Sequence, residues 1–305
     1  MKTRNISNKI FGCGSIIEPT NEKDIFELDS NQIIKLFEDK GVLIFKNFNL
    51  NKNNILKFTD IFTQQYANDA QRRIFRFGKK HIRNVDPGKL EMPIHSEASY
   101  SPSWPEIIWF YCHIAPSKSG QTTLCDGISL FRKLKIITKN FFLANQIIYD
   151  LKIPFQNVRS KTNNKAKLRP WYLENPGVSN CFIDFSNKEI HLKQKRYAVL
   201  ETRKANNYAF VNHIQIILDR DPQVLGWMLD NGKEIPEEIM TEVKEKTKEL
   251  TVNINWQNND LCMIDNKRIM HGRRKILNDE KRDILNIQTL RASFGFGTTT
   301  RNSIS

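Results

Sequence analysis

No apolar run in the 305 residues approaches the roughly 20 needed to cross a bilayer. The opening Met1-Lys-Thr-Arg-Asn-Ile-Ser-Asn8 lacks the continuous apolar segment of a signal peptide. Cysteine is scarce: the five, at 13, 112, 125, 181 and 262, form no CxxC pair, and an odd number closes no disulfide framework. These absences argue against a membrane or disulfide-stapled protein and predict a cytoplasmic one. No stretch is rich enough in Pro, Gly or Ser to act as a linker, and no internal repeat divides the chain. The expectation is a single domain over residues 1–305, with 1–25 a loosely ordered lead-in and a core from about 40 to 295.

What the chain has in quantity is apolar and basic residues. An apolar fraction of 39% with 19 Phe suffices for a real core, and the formal net charge is +14. Such a charge can mark a nucleic-acid or acidic-protein partner. Here the basic residues are spread along the chain, and clusters such as Lys79-Lys80-His81-Ile82-Arg83 and Lys193-Gln194-Lys195-Arg196 are short. A Lys-rich solvated surface is the preferred reading, and nucleic acid the disfavoured one.

Asp29-Ser30-Asn31 offers caps for an amphipathic helix from Gln32 to Lys40, ended by Gly41 and followed by a buried strand, Val42–Phe45. A second helix is expected over Ile55–Gln65, then a basic loop from Arg72 to Gly88 that could lie over a site. Strands are expected at Ile107–Cys112 and Thr122–Cys125, then a helix over Ile128–Lys135. Residues 140–205 read as short strands among Asn/Lys/Pro loops, with further β-prone pieces at Tyr208–Ile217, Thr251–Trp256, Leu261–Ile264 and Ile284–Phe294. Pro236–Leu250 has proline where a helix starts. Strands and helices do not alternate, which argues against a doubly wound sheet. The pattern predicts a mainly β fold with flanking helices, a sandwich or jelly roll.

Chemistry concentrates at Met92-Pro-Ile-His95-Ser96-Glu97. On a strand, residues i and i+2 face the same way, so His95 and Glu97 would project into one cavity. That is two-thirds of the 2-His-1-carboxylate set that holds Fe(II) with positions left open. Alone, such a short motif arises often by chance. The second half of the chain supplies the missing member. His271 follows the β-prone Leu261–Ile264 run in Asp265-Asn266-Lys-Arg-Ile-Met-His271-Gly272-Arg273, before an expected glycine turn, and Arg282 stands 11 residues later. A buried Arg can grip a carboxylate through two parallel hydrogen bonds. Thr122, 27 residues past His95, can add a hydroxyl to the same anion.

The order His-x-acid, Gly-x-Thr, Trp256-x-x-x-Asp260-Leu, Asp-Asn-x-x-x-x-His-Gly-Arg, then Arg resembles the TauD/TfdA family of Fe(II)/2-oxoglutarate-dependent dioxygenases. The resemblance implies a double-stranded β-helix, with His95, Glu97 and His271 binding Fe(II). It implies that Arg282 and Thr122 hold 2-oxoglutarate, with Arg291 and Arg273 as competitors for the arginine role. It further implies that O2 and 2-oxoglutarate are consumed, with succinate and CO2 released as a substrate is hydroxylated or desaturated. The departures are Glu97 where most of the family has Asp, Asn259 before Asp260 in place of Gly, and Asn286 where relatives place a second Arg. The last argues against a sulfonate-type substrate. Halogenating relatives lack the metal carboxylate, so Glu97 argues against halogenation.

Tyr100 and Trp104 are read as pocket lining or aromatic packing, and His113 and His213 as packed rather than ligating. The expected substrate is a small metabolite, amino-acid-derived, free or tethered to a carrier protein, in specialised metabolism. The same chemistry on nucleic acid and a non-catalytic jelly-roll binding protein are the alternatives, and a homo-oligomer stays open.

Overall fold

The structure, a computed structural model, describes residues 1–7, 12–22, 24–67, 73–101, 103–154, 178–202, 207–216 and 224–295. In chain order the first elements are β1 (Lys2–Asn5), β2 (Ser15–Glu18), α1 (Ser30–Lys40), β3 (Val42–Phe45), α2 (Ile55–Ile61), β4 (Thr63–Tyr66), β5 (Phe75–Arg76), β6 (Lys79–Asn84) and β7 (Met92–His95). Then come β8 (Ile107–Ile114), β9 (Thr122–Asp126), α3 (Gly127–Lys133), α4 (Ile136–Ala144), β10 (Gln146–Pro154), β11 (Val178–Asp184), β12 (Glu189–Tyr197), β13 (Val199–Glu201) and β14 (Tyr208–Phe210). The last are β15 (Val224–Leu229), α5 (Glu237–Leu250), β16 (Val252–Asn253), β17 (Leu261–Asp265), β18 (Ile269–Arg273) and β19 (Asp283–Ala292).

The major sheet runs β1-β2-β3-β17-β8-β19-β6-β5, with β4 also on β19, and the minor sheet runs β16-β9-β18-β7. Alternation along the strands shows how they are stacked. Val42 and Ile44 of β3 join Phe110, Leu124, Cys262 and Ile269 in a core between the two sheets. Leu43 and Phe45 face the other way, against Ile33, Phe37 and Phe58 of α1 and α2. On the far side of the minor sheet, Ile94, Cys125 and Met270 pack with Phe131, Phe142 and Val243 of α3, α4 and α5 and with Leu151 and Leu192 of a third sheet, β11-β12-β10-β15. The result is the mainly β jelly roll with flanking helices that the sequence predicts.

Local chemistry explains the clearest matches. Asp29 caps α1 by accepting from the Asn31 and Gln32 amides, and Gly41 closes it at φ 71°. Elsewhere the prediction needs correction. The second helix stops at Ile61 and gives way to β4, because Thr63 and Tyr66 are drawn into register with Ala292 and Thr289 of β19. The basic segment expected as a loop contains the β5–β6 hairpin, whose Arg83 lies over the Phe75 ring. Helix α4 stands where no helix was expected, its start anchored by Glu242 of α5, which accepts from the Lys135 amide and the Thr138 hydroxyl, both at 2.6 Å. In the Tyr208–Ile217 piece the strand ends at Phe210. Ile217, Arg72, residues 8–11 and 23 of the expected lead-in, and 155–177 and 203–206 of the loop-rich middle lie outside the described residues.

Candidate metal centre

The site opens between the two sheets where β18 lies beside β7, with His271 opposite His95 in the register. Close approach of these strands depends on Gly272. A Cβ there would sit 2.5 Å from the Met92 carbonyl oxygen, 2.9 Å from Thr123 Oγ1 and 3.1 Å from the Pro93 carbonyl oxygen. Gly272 is therefore a strand residue, and the turn expected after His271 is absent because β18 continues to Arg273.

Glu97 also departs from expectation. It does not continue β7 but enters a turn, with Ala98 next at φ 52°. Asn266 holds that turn in place: its Oδ1 accepts from the Glu97 amide at 2.9 Å, and its Nδ2 donates to the Glu97 and Pro105 carbonyls, both at 2.9 Å. The Ser96 hydroxyl donates to the Asn266 carbonyl at 2.7 Å and accepts from Trp104 Nε1 at 2.9 Å. His95 and Glu97 thus share a cavity through a pinned turn rather than through strand alternation.

Glu97 Oε2 lies 3.6 Å from His271 Nε2 and 3.9 Å from His95 Nε2. One donor atom from each of these three buried residues falls within 4.8 Å of the others. His95 Nδ1 is 2.8 Å from the Pro93 carbonyl. A carbonyl only accepts, so Nδ1 is the donor there, and Nε2 is the nitrogen turned toward Glu97. Burial, aided by the nearby His95 and only partly offset by Glu97, brings the His271 pKa down to about 4, so this imidazole is neutral as a ligand must be. For Glu97, burial pushes upward, but the Arg73 charge and the two neighbouring imidazoles prevail, and the carboxyl sits well below its usual range. Two imidazoles and a carboxylate with atoms close to the ~3 Å spacing of adjacent ligands fit a first-row divalent metal.

Arg282 stands at the other end of the cavity. Its Nε donates to the Gly120 carbonyl at 2.7 Å and its Nη2 to Thr122 Oγ1 at 3.3 Å, and Trp256 Nε1 donates to the same hydroxyl at 3.0 Å. Burial, reinforced by the Arg273 charge, lowers its pKa to about 10, which leaves a cation at neutral pH. Its competitors are placed differently. Arg291 is exposed and away from the cavity. Arg273 lines it, but its guanidinium is bound to the carbonyls of Asp86, Gly88 and Leu90.

His213 packs on His95 with ring centroids 5.1 Å apart and on Tyr100 at 4.7 Å, so it belongs to the wall of the cavity rather than the donor set. Tyr100 and Trp104 are buried in the apolar core beside it. His113 stacks near Tyr111 and meets Phe77 edge-on. The residue that sequence reasoning missed is Arg73. Its Nη2 donates to Glu97 Oε1 at 2.8 Å and its Nη1 to Asn286 Oδ1 at 3.2 Å. No local motif marks it, since it lies in a basic stretch 24 residues before Glu97.

A jelly roll with a buried His-x-Glu…His set defines the class of 2-His-1-carboxylate oxygenases. The family described as "Taurine catabolism dioxygenase TauD, TfdA family" matches residues 14–288, and the chain belongs to it. It is accordingly an Fe(II)- and 2-oxoglutarate-dependent dioxygenase. Among curated proteins it is similar to the dapdiamide synthesis protein DdaC of Enterobacter agglomerans, 22% identical over 284 residues, 84% of each chain. Among solved structures it shares the fold of PvcB from Pseudomonas aeruginosa, described as an Fe, alpha-ketoglutarate dependent oxygenase from an isonitrile synthetic pathway. That pair is 14% identical with a TM-score of 0.58, over 91% of this chain and 86% of the other. A taurine dioxygenase from Burkholderia xenovorans is 13% identical with a TM-score of 0.57, over 94% and 88%.

Proposed function

We propose that this chain oxidises a small, amino-acid-derived metabolite by hydroxylation or desaturation, with His95, Glu97 and His271 as the iron ligands and Arg282 and Thr122 holding 2-oxoglutarate. The observation that carries this reading is the convergence of three buried donor atoms within 4.8 Å, in the cavity that Arg282 and Thr122 also line. When bound, the iron supplies the O2 activation that couples decarboxylation of 2-oxoglutarate, to succinate and CO2, to oxidation of a substrate C–H bond.

The protein's own contribution is positional. Glu97 and the two histidines would hold the metal by three ligands, a set that leaves positions open for 2-oxoglutarate and O2. Arg282, a half-buried cation with a further guanidinium nitrogen beyond those committed to Gly120 and Thr122, offers charge and donors to the distal carboxylate of 2-oxoglutarate. The Thr122 hydroxyl accepts from Trp256 and Arg282, so its own proton is available for the same anion.

Residues 1–305 act, in this reading, as one catalytic unit whose core spans about 40–295. The pathway names of DdaC and PvcB support specialised metabolism, and the basic surface suits an acidic carrier presenting a tethered substrate. A cytoplasmic location fits, since among the described residues no helix is long and apolar enough to cross a membrane. The test is an anaerobic titration with Fe(II) and then 2-oxoglutarate, following the visible charge-transfer band. The band is expected in the wild type and absent in His95→Ala. Failure of the wild type to bind either would return the lead to a non-catalytic binding protein.

A further inference from the structure

Glutamate is one methylene longer than aspartate and can close both carboxylate oxygens onto a metal. Two bound oxygens would take a coordination position that 2-oxoglutarate or O2 requires. Something must therefore distinguish the two oxygens of Glu97, and the structure contains it. We propose that Arg73 is a positioning residue that keeps Glu97 on a single oxygen toward the metal, an inference that rests on the iron assignment above.

The two oxygens have different surroundings. Oε2 faces His271 Nε2 at 3.6 Å and His95 Nε2 at 3.9 Å, whereas Oε1 accepts from Arg73 Nη2 at 2.8 Å. Arg73 is itself anchored. Its Nη1 donates to Oδ1 of Asn286, a buried residue in the middle of β19, where the register pairs it with Phe110 of β8 and Arg83 of β6. The guanidinium thus ties the Glu97 carboxylate to the rigid centre of the major sheet. Both contacts need the fork of an arginine, since an ammonium is a single point of charge.

The other arginines of the cavity cannot take this role. Arg273 is bound to three main-chain carbonyls, and Arg282 to Gly120 and Thr122. Arg73 alone among them reaches the metal carboxylate. The side chain that completes the bridge, Asn286, stands four residues beyond Arg282. Both side chains line the same cavity, so the 2-oxoglutarate anchor and the Arg73 anchor meet there.

A cation on Oε1 also competes with the metal for that oxygen. Removing it should therefore leave metal affinity intact or raised while taking away a position for the co-substrate. A purely structural arginine behaves differently: its loss lowers metal and co-substrate binding together with thermal stability.

The probe is Co(II), whose visible d–d bands report coordination number, titrated anaerobically into wild type, Arg73→Gln, Arg73→Lys and Asn286→Ala, followed by 2-oxoglutarate. Arg73→Gln should bind Co(II) at least as tightly as wild type, show altered bands, and bind 2-oxoglutarate about tenfold or more weakly. Arg73→Lys should recover part of the loss, and Asn286→Ala should fall between wild type and Arg73→Gln. Co(II) bands and 2-oxoglutarate affinity unchanged in Arg73→Gln would overturn the proposal, as would loss of both in step with a lowered Tm. If Arg73→Gln does not fold, Asn286→Ala decides by the same criteria. If the wild type binds no Co(II), it is the iron assignment that fails.

Discussion

Asn266 clasps the backbone of Glu97 from both sides, accepting from its amide and donating to its carbonyl, each at 2.9 Å. With its further bond to the Pro105 carbonyl, the carboxamide holds three main-chain groups in a site it shares with no solvent. Asn266→Asp keeps the shape and one acceptor but loses both donated bonds. Each buried group left unsatisfied costs about 1–3 kcal/mol, so the variant should lose about 3 kcal/mol of stability. Because Glu97 then swings with its turn, Fe(II) affinity should fall about tenfold or more. Urea denaturation and metal titration check the two effects separately. A variant that is destabilised but binds metal normally would show that Asn266 serves the fold alone.

Gly272→Ala tests the approach of the two histidines. The new Cβ meets main-chain oxygen at 2.5 Å on the β7 side, and a backbone oxygen cannot rotate away as a side chain can. Strand β18 must move outward, carrying His271 away from His95. The expected result is a loss of about 2–3 kcal/mol, the upper range for overpacking, together with a larger loss of metal affinity than the stability change alone explains. Thr123→Ser retains the hydroxyl that would also meet this Cβ, so it should not rescue the variant.

At the Arg282 end of the cavity, where we propose that 2-oxoglutarate binds, Arg282→Lys keeps the charge and removes the fork. The ammonium cannot satisfy the Gly120 carbonyl, Thr122 and a carboxylate together. Affinity for 2-oxoglutarate should drop about 10- to 100-fold with Fe(II) binding unchanged. Thr122→Val removes the acceptor of Trp256 Nε1 as well, and should cost stability in addition to affinity. If Arg282→Lys binds 2-oxoglutarate like the wild type, the arginine role belongs elsewhere.

Much of this site was legible because its chemistry is carried by residue types with few alternatives. His95 and His271 stand out among only six histidines, Glu97 by its place two residues past His95, and Arg282 and Thr122 by spacing from them. The positive φ of 71° at Asn259 explains why glycine is the family's residue there and why Asn, which tolerates that region, replaces it. Tertiary context was the illegible part. Strand β4 forms because β19 offers it an edge, and α4 starts where Glu242, 104 residues away from Thr138, supplies the hydrogen bonds. Arg73 was hidden for the same reason: only the folded chain brings it to Glu97, and one basic residue in a basic stretch carries no periodic signal.

The titration of His271 makes the metal-free protein sensitive to mild acid. Its pKa is about 4 in the folded chain, against 6.5 for an unperturbed histidine. Between these values the unfolded chain binds the proton and the folded chain does not, so stability rises with pH across the window and is lost as pH falls from about 6.5 to about 4. Below that, both states are protonated and the effect levels off. The difference corresponds to about 3 kcal/mol. Glu97 acts lower down: its depressed folded pKa means that its contribution fades only as pH falls below the ordinary carboxylate value of 4.5. Urea midpoints of the metal-free protein at pH 7 and pH 5 should therefore differ in the wild type and differ less in His271→Phe, which has no proton to gain. Bound metal should steepen the dependence, because acid then displaces the ion as well as charging the ring. Equal slopes in wild type and His271→Phe would place the acid-sensitive group elsewhere in the fold.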